Sequence, residues 1–221
     1  MAKISFKPCE GNLFRFTGMD FKKFLDENIS KQRAGKIEEA MDERYKIAIN
    51  IATCLPDEFD MVLDCLDDNS RNATNVMYIS AIDLYMNEDW ERSAALLETI
   101  LDIDSEDCYS APAILTLCYI MLEDDDCLES IVSDVEVTTT MNIFALSAVD
   151  YKNSGTINVR MAEKLKSNHQ FTEYLHYGRE LWDKYTENSK EDMDVVLAAA
   201  LARPILKKLE GLETTLLNTK K

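Results

Sequence analysis

Apolar positions recur three and four residues apart along most of the chain, and the elements they predict are helices. From Met19 to Arg33, Phe21, Phe24, Leu25 and Ile29 share one face until Ala34-Gly35 interrupts it. Ile37, Ala40, Met41, Ala48, Ile51 and Leu55 continue at helical spacing up to Pro56, and Phe59, Val62, Leu63 and Leu66 mark a short helix that ends at "DDNSRN". Further helices are predicted near 74–86, 90–103, 111–122, 126–136, 140–153, 157–167, 170–187 and 190–217. Pro204 should break or kink the last of these, because proline lacks the amide proton and crowds the preceding turn. The start is different. "KISFKP" and "NLFRFT" alternate apolar and polar residues around "CEGN", which predicts a β-hairpin turning at Gly11. A lone hairpin is marginal in water, so it should lie against the first helices. The expected organisation is a hairpin over 1–18 and a single helical domain over 19–221.

Composition supports an all-α fold. With 6 Gly and 4 Pro in 221 residues, the chain has too few turn residues for a sandwich or barrel. No apolar run approaches the ~20 residues of a membrane span, and "MAKISFK" has no apolar signal core, so a cytoplasmic location without membrane contact is expected. The six cysteines form no CxxC and no zinc spacing with histidine, which predicts buried, reduced thiols.

Charge changes the picture more. Between Leu55 and Thr140 there are 22 Asp or Glu against Arg71 and Arg92 and no Lys, so this block carries −20 of a net −17 and the remainder +3. A phosphate backbone would be repelled, which argues against nucleic acid, whereas a basic protein segment would be attracted. Solubility alone is the other reading of the block.

Chemistry is sparse. His169 and His176 stand seven residues apart on one predicted helix, ~10 Å along its axis, without an evident third ligand. "EDDD" at 123–126 would attract a cation. Asp102, Asp104 and Glu106 alternate as in a calcium loop, but Asp107 and Ala113 occupy the places of its glycine and bidentate glutamate. No phosphate loop, nucleophile elbow or HExxH is present. The expectation is a non-enzymatic protein with no metal and no cofactor.

Spacing between helices suggests a repeat. Ala81 and Ser93 are 12 residues apart, with Leu84, the turn "NED" and Trp90 between them. Cys118 and Ser130 repeat that separation 37 residues on, around "EDDD". Small residues so placed allow two antiparallel helices to cross closely. Residues 76–105 resemble a unit of the tetratricopeptide repeat family. Ala81, Leu84, Trp90, Ser93 and Leu97 stand at its small, large, turn-aromatic, small and large places. Met77, Ser80, Ile100 and Ser105 depart from its usual Trp, Leu, Ala and Pro. The stretch 111–137 is a more degenerate unit with Cys127 at the turn-aromatic place. Gly35, Ile37 and Ala40, and Ala148, Tyr151, Gly155 and Ile157, are half-matches.

The resemblance implies an α-solenoid of stacked antiparallel helical hairpins whose first helices line a groove for a peptide or protein. By position the inward places include Tyr78, Ile82, Tyr85 and Tyr119, a tyrosine-rich floor suited to peptide contact. These four are the expected partner-binding residues of an interaction module or adaptor. The same spacing is also that of a buried core face. The alternative function is a self-associating structural subunit. It would use the stripe Leu197, Leu201, Ile205, Leu209, Leu212 and Leu216 as an oligomer seam rather than an internal packing face.

Overall fold

The computed structural model describes residues 21–53, 70–103, 110–185 and 192–218. The predicted hairpin over 1–18 and the short helix at Phe59–Leu66 lie outside the described residues. Within them every regular element is a helix: α1 Phe21–Arg33, α2 Ile37–Thr53, α3 Ser70–Met86, α4 Trp90–Ile103, α5 Ala111–Leu122, α6 Asp125–Val132, α7 Thr140–Ser154, α8 Val159–Ser167, α9 His169–Tyr174, α10 Arg179–Tyr185, α11 Met193–Lys208 and α12 Leu212–Asn218. The described helices fall into two compact units. Of the described residues, one holds 21–53, 70–84 and 92–103, the other 85–91, 110–185 and 192–218.

The first unit is built from hairpins that cross in a common register. The Ser93 hydroxyl donates to the Ala81 carbonyl at 2.8 Å, across the 12 residues that separate the two small positions. The Asn28 amide donates to the Ala40 carbonyl at 2.8 Å across the same separation. At each crossing a small residue lets a side chain reach the opposite backbone. Gly35, at φ +81, makes the turn of the first hairpin. Its apolar core comes mainly from α3 and α4: Val76, Met77, Ala81, Ile82, Ala94, Leu96 and Leu97 are 2% exposed or less.

The second unit is a bundle around α11. All residues from Val195 to Ala202, and Ile205, are buried. The alanines at 198, 199, 200 and 202 let neighbouring backbones approach. α11 packs on α5, α7, α9 and α10, while α5 also packs on α6 and α7. A stack in which each pair touches its sequence neighbours alone would not bring α11 onto α5. Cys118 is buried as expected, but Ser130, its partner in the predicted crossing, is exposed. Leu128 and Ile131 form the buried face of α6 instead. Of the stripe, Leu197, Leu201, Ile205, Leu212 and Leu216 are 2% exposed or less and Leu209 is half-buried, so most of it packs inside the bundle.

Short polar side chains start these helices. Asp124 accepts from the Cys127 amide at 3.0 Å, Thr139 from Asn142 at 3.1 Å and Asn168 from Phe171 at 3.0 Å, each satisfying a donor that has no partner within its helix. The start of α7 is held twice, because the Asp194 carboxylate also accepts from the Thr140 and Met141 amides at 2.6 and 3.0 Å. The element expected over 170–187 is two short helices, interrupted near Gly178 at φ +53. α11 runs through Pro204 to Lys208, and the chain turns instead at Gly211, φ +89.

Candidate functional site

The four residues expected to floor a groove are core residues. Tyr78 and Tyr119 are 4% exposed and Ile82 and Tyr85 are fully buried, so none offers a surface to a peptide. Tyr78 and Ile82 belong to the first unit, Tyr85 and Tyr119 to the second. A helical face of aromatics has the same period whether it lines a groove or packs a core, and here other elements cover it. For Tyr85 the cover is α11: its hydroxyl donates to the Leu201 carbonyl at 3.3 Å. Burial, with Cys118 alongside, pushes the Tyr85 phenol well above the usual tyrosine value of 10.0.

That shift has a measurable consequence. Above pH 10 an unfolded chain ionises this phenol while the folded chain keeps its proton, so stability falls as pH rises past 10. Tyr85→Phe is expected to lose about 1 kcal/mol at pH 7 with the hydroxyl's bond. It should then lose less than wild type between pH 10 and 11.5 in urea melts.

Three of the four residues of the acidic run at 123–126 have partners within the chain. Glu123 accepts from Lys208 Nζ at 2.7 Å, which holds its carboxyl below the usual glutamate range. Lys208 also donates to the Met121 carbonyl at 3.1 Å, at the negative end of α5. Asp124 caps α6, and Asp125 pairs with Lys152. The two histidines do not share a helix face: His169 opens α9, whereas His176 lies past its end, 3.5 Å from Glu213. Among the described residues no three His, Cys, Asp or Glu side chains group as a metal site requires.

Two sites emerge that the tyrosine row did not anticipate. In the first unit, Arg44 is 2% exposed and its guanidinium pairs with Asp83, itself 2% exposed. The same guanidinium donates to Asn28 Oδ1 and, at 3.2 Å, to Gln32 Oε1. Arg44 Nε and the Ser80 hydroxyl are buried with no hydrogen-bond partner among the described residues. Signs of this cluster were present in the sequence: Arg44 stands four residues from both Ala40 and Ala48, and Asp83 stands between Ile82 and Leu84.

In the second unit a cleft of about 310 Å³ is lined by Glu88, Trp90, Met121, Pro204, Lys207 and Lys208. Trp90 is half-buried, as are Met121 and Pro204, and they form an apolar floor between charged residues. Glu88 is held at φ +64, a conformation costly for any residue with a Cβ, and Glu123, which pairs with Lys208, is at φ +58. The Trp90 indole N–H is buried without a partner among the described residues. Strained backbone and an unsatisfied donor at one place are features that folding alone disfavours and that functional sites retain. Trp90 was legible as the aromatic after a turn. Pro204 and Lys207 reach the cleft only through the packing of α11.

The chain matches no protein-family model, no curated protein and no solved structure. Among the described residues no helix is long and apolar enough to cross a membrane.

Proposed function

We propose that the chain is a non-enzymatic protein-interaction module and that its contact site is the Trp90 cleft rather than the tyrosine row. The observation that supports this reading is the half-buried tryptophan set beside Met121 and Pro204, with Glu88 and Lys207 at the rim. Tryptophan in a partly desolvated pocket with a polar surround is the usual anchor of binding energy at protein interfaces. The volume suits one large apolar side chain of a partner segment. The net charge of −17 favours a segment with basic residues flanking that anchor, because long-range attraction speeds encounter.

Affinity capture from native extract with four immobilised full-length chains tests this: wild type, Trp90→Ala, Met121→Ala and Val159→Asp. Val159 is 55% exposed, stands on α8 and does not line the cleft. The expected result is one set of proteins held by wild type and Val159→Asp and reduced about tenfold or more by the two cleft variants. Equal retention on all four would reject the cleft.

A further inference from the structure

We propose that Glu88 is the residue of the Trp90 cleft that selects the partner: its carboxylate takes a lysine or arginine side chain next to the apolar anchor. The inference rests on the cleft being the contact site and adds the chemistry of one position in the partner. It starts from two glutamates in the same backbone state. Glu88 and Glu123, just past the ends of α3 and α5, are held at φ +64 and +58. Glycine is the residue that adopts this conformation without strain, because a Cβ there crowds its own backbone. Both glutamates belong to the cleft's surroundings: Glu88 lines it, and Glu123 holds Lys208, which lines it.

The difference lies in what the two side chains do. Glu123 is engaged within the chain, on Lys208 Nζ at 2.7 Å. The Glu88 carboxylate is exposed and has no hydrogen bond or ion pair among the described residues. The Glu88 amide donates to the Tyr85 carbonyl at 3.0 Å, a bond that glycine would make equally well. No contact of the Glu88 side chain within the described residues offsets its backbone strain, and residues kept in strained backbone cluster at ligand sites.

Neighbouring groups fix which ligand and where. Lys207 also lines the cleft, is exposed and forms no ion pair with Glu88. A cation is therefore attracted at Glu88 and repelled at Lys207, which gives the partner's basic residue one place beside Trp90, Met121 and Pro204. The turn that carries Glu88 is also tied down. The Arg179 guanidinium donates to Asn87 Oδ1 at 2.9 Å, so the residue before Glu88 is held by α10. A carboxylate on a fixed turn loses less freedom on binding than one on a mobile loop.

Fluorine NMR of the full chain carrying 5-fluorotryptophan tests this. The chain has 2 tryptophans, and the Trp90 signal is the one lost in Trp90→Phe. The probes are acetyl-Arg-Leu-Arg-amide and the same peptide with citrulline, an uncharged isostere, at both arginines. The arginine peptide should move the Trp90 signal at about threefold lower concentration than the citrulline peptide, the scale of an exposed ion pair. Glu88→Gln should abolish that preference. Glu163→Gln removes the same charge from an exposed position on α8 outside the cleft and should keep the preference, which separates contact at Glu88 from attraction by net charge. Glu88→Gly should also abolish it while raising the thermal midpoint by about 2–4 °C. A preference that survives Glu88→Gln, or that is lost equally in Glu163→Gln, would overturn the role of Glu88 and leave the cleft standing. A lower midpoint in Glu88→Gly would show that the side chain serves the fold, and would overturn it too. A Trp90 signal unmoved by either peptide would overturn the cleft reading itself.

Discussion

Arg44→Met is expected to destabilise the first unit by about 3–5 kcal/mol, because it leaves the Asp83 carboxylate buried without its counter-charge. The loss should be local. Trp90 and Trp182 both belong to the second unit, and Trp182 is 3% exposed. Because Trp90 opens α4, most of which lies in the first unit, fluorescence is read from Trp182 in a Trp90→Phe background and reports the second unit, while far-ultraviolet circular dichroism reports helices throughout. In a urea titration the dichroic signal of Arg44→Met should fall at lower denaturant than wild type, with the fluorescence midpoint nearly unmoved. Adding Asp83→Leu should restore most of the loss, since two apolar groups of similar size replace the ions without stranding either. Coincident shifts of both probes would show that the pair serves the whole molecule, contrary to its place in the first unit.

Gly211→Ala is expected to cost about 2–3 kcal/mol, from two sources. At φ +89 a side chain is strained, at roughly 1–2 kcal/mol. A Cβ there would also collide with the Tyr151 hydroxyl, closer than real Cβ atoms come. That hydroxyl donates to the Glu210 carbonyl at 2.7 Å and ties α7 to the turn between α11 and α12, so displacing it forfeits a further ~1 kcal/mol. Tyr151→Phe alone should cost about 1 kcal/mol. In that background Gly211→Ala should cost less than it does in wild type, because the obstructing oxygen is gone. Thermal unfolding of the four chains, read by Trp182, gives the coupling directly. The turn matters because it seats Leu212 and Leu216, both 2% exposed or less, at the end of the bundle.

Helix position was legible from the 3.6-residue period, as α3, α4, α5 and α7 show, because each presents a continuous apolar face bounded by turn residues. The misjudged ends share one cause. Pro204 was expected to break or kink the last helix, yet burial of Ile205 beyond it holds the last turn against a local cost of ~3 kcal/mol. Gly178 and Gly211, which supply backbone conformations that other residues resist, are where the chain departs from the helix. Ala81 and Ser93 were legible as a crossing because small residues at close approach leave a signature in composition. Cys118 and Ser130 have the same spacing without the contact, since Ser130 falls on the solvent side of the eight-residue α6.

The tyrosine row shows a different limit. Periodicity marks the covered face of a helix, and which element covers it depends on a partner far along the chain. Tyr85 is covered by α11, whose Leu201 carbonyl takes its hydroxyl. The cleft was illegible for the same reason: Trp90, Met121 and Lys207 belong to three segments that only the tertiary fold assembles. Arg44 and Asp83 were visible as charges on otherwise apolar or small faces, but their pairing across 39 residues was not.

The claim that a partner's side chain enters the Trp90 cleft is tested most directly by contact-range photo-crosslinking. A benzoylphenylalanine placed at Lys207, and in a second protein at Val159, is irradiated in native extract. Both positions are exposed, and Lys207 alone lines the cleft. The account predicts a discrete adduct from position 207, abolished by Trp90→Ala, and none from position 159. Adducts from 159 alone, or an adduct from 207 that persists in Trp90→Ala, would contradict it.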